Sequence, residues 1–522
     1  KLSTMNRRDS KPALSGVIIN GSDYKTMSLH NALLNIDEEM NLDNNSVEIT
    51  NSSVINNSII KGTNSSQQGI AQANTAGAAK SSLVLVNNGE INLSGQESVG
   101  IYADYGFINN NNIISTQGSS SFGIYGVNGT DIETAAGSII KSGTNGAGIV
   151  SQSYILDPVT GLIIDNGYGD GTFKISHNGK IEMSGSNSFG IYADNNDTNI
   201  LTDISARIIN LNTGSLIDMS STSTKGTALY ANKATVNVYG NIKTGSEGIG
   251  IYADSSNITL NGGIIDISGD NATGIFLDGS SNMTLTHGVI NIKGNNSTIF
   301  YINSSAILTG QDNVVINADP VLKMVLANVK NNNFIYNRAL SDVGQGSVLI
   351  AGENSIIGFE TNAIIDSNSE DVTGLAANGG SAVNKGKLTF AGIDSMGIYT
   401  ENADAVNMGE LILGEKGTGI YNENGTVNNA GKIEIGEKGT GIYGSNSTSI
   451  NNNSLIHSFG NSTVGIYENG DTAGSVIKND MLGVINLDGS GTIGIYTSGN
   501  SAKNVTNAGE IKVGDSKDSN NP

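Results

Sequence analysis

Two short acidic pairs are the first residues in this 522-residue chain that could do chemistry: Asp165 and Asp170 in IIDNGYGDG, and Asp194 and Asp197 in ADNNDTN. Two carboxylates converging on an exposed face can serve as acid and base, or as nucleophile, against a glycosidic bond. Asp is also a turn former, because its side chain caps nearby backbone and tolerates tight corners, and the Asn and Gly around these aspartates favour that reading. Four histidines, His30, His177, His287 and His457, stand too far apart in sequence for a shared metal site and read as turn or surface residues. Neither GxSxG, HExxH nor a Walker loop occurs, and the chain has no Cys. The expectation is a non-enzymatic protein with no catalytic, cofactor-binding or metal-binding residues and no cofactor.

Binding chemistry is richer in one stretch. SQSYILDPVTGLIIDNGYGDGTF, residues 151–173, carries Tyr154 and Tyr168 as apolar platforms and Asp157, Asp165 and Asp170 as hydrogen-bond acceptors. That mixture suits a sugar ring or a basic protein patch. These five are the candidate ligand contacts, with a hairpin lying against its own scaffold as the plainer alternative.

A scaffold has to position them, and the sequence repeats one. EKGTGIY at 415–421 returns at 437–443, and GIY or a close relative recurs along most of the chain, usually every 22 to 25 residues. A second phrase precedes many copies, as in NNGEINLSG from Asn87 and NKGKLTFAG from Asn384. Short alternating apolar runs between Asn- and Gly-rich turns read as about three strands per repeat. Such a repeat buries its apolar residues only by coiling and stacking on its neighbours. The expected fold is all-β, a right-handed parallel β-helix or solenoid with about 22–25 residues per coil, roughly 20 coils, and protruding loops.

Strand alternation assigns faces to the phrase. In VGIYA (99–103) and TGIYN (418–422), the first, third and fifth positions point inward while Gly and Tyr point outward. The isoleucines then form core ladders. Ten of the 17 tyrosines, from Tyr102 to Tyr496, form outward columns. Asn-rich turns are expected to bond amide to amide between coils.

Organisation is uneven along the chain. Residues 1–45 lack the repeat, and MSLHNALLNIDEEM (27–40) has the apolar spacing of a short helix. Residues 46–300 read as β-helix. Intervals of 42 residues from Ile149 to Ile191 and 38 from Ile191 to Leu229 predict excursions near 151–176 and 193–222. Residues 301–372 read as degenerate coils and 373–522 as regular repeats. NAGEIKVGDSK (507–517) copies NAGKIEIGEK (429–438) and then stops short of another GIY, so the chain is expected to be a piece truncated at its C-terminus.

With 48 acidic and 27 basic residues the net charge is −21. Without a basic patch interleaved with aromatics, nucleic acid is not an expected partner. A chain free of Cys is compatible with export through a pore. No 18-residue apolar run exists to span a membrane as a helix.

The GIY strand, the NxGxIxVG strand and the Asn/Gly-rich turns at about 23 residues resemble the passenger regions of the large fusobacterial type V autotransporter adhesins of the RadD type. The resemblance covers roughly residues 80–300 and 373–514. It implies an extended monomeric stalk on the bacterial surface, facing outward from the outer membrane or secreted. It also implies a virulence-associated role in coaggregation, or in attachment to a surface protein or glycan receptor on bacterial or host cells. Contact with the membrane would run only through a C-terminal β-barrel absent from this chain. The family motif describes the scaffold and names no ligand-binding residue. The alternative is a β-helical lyase or hydrolase acting on surface polysaccharide.

Overall fold

The computed structural model describes residues 2–4, 15–19, 26–43, 46–74, 79–156, 163–164, 171–195, 204–220 and 224–514. They fall into two compact units, 1–290 and 291–522. Each is a β-solenoid of stacked parallel strands with almost no helix, and the turns number about 16 in all, where the repeat spacing predicted roughly 20.

In the first unit the GIY strands Val99–Asp104, Phe122–Val127, Ala147–Gln152, Phe189–Asp194, Thr227–Asn232 and Ile249–Asp254 pair in parallel, one above the next. Most are followed by a second and third strand of the same coil, such as Phe107–Asn110 and Ile113–Thr116; after Ile249–Asp254 the two merge into the single strand Asn257–Ile267. The isoleucine of the phrase is sealed in the core at Ile101, Ile124, Ile149, Ile191 and Ile251. The second unit repeats the scheme from Met396–Glu401 through Ile493–Ser498, with Ile398, Ile420, Ile442 and Ile466 buried. Residues 301–372 stack as well. Strand Ser297–Asn303 pairs with Met324–Lys330, which pairs with Val348–Phe359, and that strand pairs with Thr373–Asn384.

Two expectations about faces need correction. The GIY glycine does not point outward: a Cβ on Gly419 would lie 2.5 Å from Gly441 O and 2.6 Å from Ile433 Cγ2. Pairing also skips this residue, running from Thr418↔Thr440 straight to Ile420↔Ile442. The chain bends at Gly, so two successive positions face inward and simple alternation fails. The first position consequently turns out toward the surface and is only half-buried at Phe122, Thr418 and Thr440.

The helix expected over 27–40 is also absent. Thr26–His30 and Ala32–Ile36 are strands, separated by Asn31 at φ 51. Ala32, Leu34 and Ile36 follow a period of two and are buried, and Leu34 sits opposite Val54 of the next coil. An existing strand edge satisfies their backbone, which a short isolated helix could not match. Residues 32–36 thus already belong to the stack.

Corners flank the GIY strand on both sides with left-handed residues. Asn402, Asn424 and Asn446 take φ 51 to 56, as the Asn-rich turns predict. On the other side Lys416 and Lys438 do the same at φ 55 and 58, where the left-handed backbone lets their N–H groups donate to Glu437 O and Asn461 O of the following coil.

Inside the second unit a column of fully buried asparagines runs Asn384, Asn407, Asn429, Asn452 and Asn479, each amide donating to the next at 2.7 to 2.9 Å, and Asn479 donates on to Asn507 at 2.7 Å. The first unit has an asparagine column of its own at Asn56, Asn87 and Asn110, whose slot is then taken by Thr134, His177, Leu211 and Val238.

Candidate functional site

The tyrosines of the phrase form outer columns. Tyr192, Tyr230, Tyr252 and Phe276 stack at 4.8, 5.3 and 4.8 Å with interplanar angles of 10 to 20°. Tyr399, Tyr421 and Tyr443 stack at 5.3 and 4.9 Å. Stacking half-covers the rings, and this burial pushes the Tyr230 and Tyr252 hydroxyls up to about 12.

Between Tyr102 and Phe276 one coil interrupts the column. Strand Ala147–Gln152 reads AGIVSQ, so Val150 stands where its neighbours carry Tyr125 and Tyr192, and Ala147 where they carry Phe122 and Phe189. Two missing rings leave a recess of about 350 Å³, lined by Phe122, Tyr125, Val150, Gln152, Phe189 and Tyr192, with Ala147 on its floor. Tyr125 leans toward this coil, turned 89° from Tyr102, and its hydroxyl donates to Gln152 Oε1 at 2.7 Å.

A polar network closes one edge. Gln152 Nε2 donates to the Tyr154 hydroxyl at 3.3 Å, and that hydroxyl donates to Asp194 Oδ2 at 2.8 Å. Tyr192 OH also reaches Asp194 Oδ2, at 3.4 Å, while Asn232 Nδ2 donates to Asp194 Oδ1 at 2.9 Å. Burial, followed by the nearby Asp194 carboxylate, raises the Tyr154 and Tyr192 hydroxyls well above the ordinary phenol range. These groups accept and donate hydrogen bonds but are not poised to ionise.

The expected excursion springs from the same coil. After Gln152 the chain turns off into Ile155–Leu156, paired antiparallel with Ile163–Ile164, and rejoins the stack at Phe173–His177, which lies beside Asp131–Thr134. Tyr154 is not the exposed platform the sequence suggested: it is 5% exposed and serves as an internal link between Gln152 and Asp194. Asp157, Asp165, Tyr168 and Asp170 lie outside the described residues, as does Asp197. Asp194 is itself buried.

His177 is a second correction. It is not at the surface but fully buried in the asparagine slot, its Nδ1 2.8 Å from Thr134 Oγ1, and burial pulls its pKa down to about 4. His30 and His287 are exposed, and His457 lies 3.3 Å from Asp488. Among the described residues no group of three or more His, Cys, Asp or Glu could hold a metal ion.

The recess residues Phe122, Ala147, Val150, Gln152 and Phe189 escaped sequence reasoning. Their signal is the weak repeat copy AGIV itself, which drops two aromatic residues where its neighbours keep both. No protein-family model and no curated protein matches the chain.

Proposed function

We propose that this chain is an adhesin stalk, the passenger of an outer-membrane autotransporter, and that it attaches the bacterium bearing it to other bacteria or host cells without enzymatic activity. The observation that carries this reading is the contrast between repeated ladders and the furnished interruption at residues 147–194, where a recess and an excursion meet on one coil. Ladders of isoleucine, asparagine and tyrosine build surface without chemistry, and selective recognition belongs where a rigid scaffold is broken by a loop and a recess. Asp194, a carboxylate in the network beside the recess, is committed to Tyr154, Tyr192 and Asn232, which suits holding a shape better than cleaving a bond. The composition, acidic and free of Cys, fits export to the cell surface.

The test is to incubate the purified chain with a panel of bacterial and host cells and with neutral and acidic glycans. Saturable cell binding with every glycan left at full length is the expected result. Release of new reducing or unsaturated ends would replace this reading with that of a β-helical lyase or hydrolase.

A further inference from the structure

We infer that the recess at Ala147 and Val150 is a subsite for one pyranose ring of a glycan. The inference deepens the attachment reading and rests on it for biological meaning, although the binding chemistry stands on the recess alone.

The walls are aromatic and the edge is polar. Phe122 and Tyr125 come from the coil before, Phe189 and Tyr192 from the coil after, and their backbones are two strand spacings apart, about 10 Å. The edge decides the ligand. The Gln152 amide and the hydroxyls of Tyr125 and Tyr192 line one side of the recess. A phenylalanine or tyrosine side chain from a partner would offer that edge one hydroxyl at most. A pyranose offers several, each able to donate and accept, with apolar faces between them. No charge on the sugar is required, since each of these groups can act in its resting state.

Saturation-transfer NMR tests this with the purified 522-residue chain and three probes: the methyl β-pyranosides of glucose, galactose and N-acetylglucosamine. Transfer from protein to the ring C–H protons of at least one probe is expected. Val150→Tyr restores the missing ring and should weaken that binding at least tenfold. Because Tyr125 must move to admit the new ring, Gln152→Ala serves as a second variant that removes only the polar edge, also with an expected tenfold loss. Thermal melting checks that both remain folded, and Tyr421→Ala, in the other unit, should leave binding unchanged. Three results overturn the proposal: no transfer to any probe at millimolar concentration, binding that survives Val150→Tyr in a folded protein, or displacement of the sugar signal by N-acetyltyrosinamide at lower concentration. If the sugar binds and Val150→Tyr abolishes it while cell attachment persists, the subsite stands and the attachment reading fails at this location.

Discussion

Within the Gly-Ile-Tyr phrase, three neighbours meet three environments. Gly419 has no room for a methyl group, Ile420 is sealed in the core, and Tyr421 is half-covered by the rings of Tyr399 and Tyr443. Ile420→Asp should therefore cost several kcal/mol, because a charge enters the stack unpaired. Tyr421→Ser should cost only about 1–2 kcal/mol, the worth of lost ring contacts. Urea denaturation of both variants checks the difference, and equal losses would mean that the faces are assigned wrongly. His177 makes the other prediction at this scale. Its folded pKa of about 4 lies below the ordinary 6.5, so the unfolded chain binds the proton more readily. Its neutral form is fully supported above pH 6.5, and stability should fall as pH drops from 6.5 toward 4. At about 1.4 kcal/mol per pH unit the ceiling is about 3 kcal/mol. His177→Asn, which restores the residue type of this slot, should flatten that part of the pH profile. A profile identical to that of the unaltered protein would contradict the assignment.

Strands in this molecule are stabilised by what lies above and below them, and the asparagine column makes that measurable. Asn429→Ala would leave the Asn407 amide only its longer 3.4 Å bond to Lys432 O and would strip Asn452 Oδ1 of its Asn429 donor, both side chains being fully buried. The expected loss is about 2–4 kcal/mol, read by denaturant unfolding, and hydrogen exchange should rise in the flanking coils. A loss under 0.5 kcal/mol would mean that the column is incidental. This is also the scale at which the sequence was most readable. A 22-residue repeat declares its strand pairs, since each coil templates the next, and the isoleucine ladders, tyrosine columns and asparagine turns all follow from it. Three features could not be read. The inward glycine depends on a bend that breaks period-two alternation. The strands at 26–36 depend on a partner edge that local apolar spacing does not reveal. Lys416 and Lys438 adopt a left-handed backbone for which lysine has no preference, imposed by the hydrogen bond to the coil ahead.

At the scale of the whole molecule, the proposal is that a repetitive scaffold confers attachment where its repeat fails. The excursion was legible as a spacing anomaly of 42 residues, yet the recess beside it was hidden in two conservative-looking replacements, Ala147 and Val150. Tyr154, read as a contact, proved to be a strut beneath the site, because a tyrosine next to a coil corner buries its ring and spends its hydroxyl on Asp194. The most direct test is to excise residues 153–171, bridge the gap with a short Gly/Ser linker, and measure binding of the labelled variant and the unaltered chain to intact partner cells by flow cytometry. The account predicts saturable binding by the unaltered chain and at least a tenfold loss in the variant, with circular dichroism still dominated by β-structure. A folded variant that binds undiminished would contradict it.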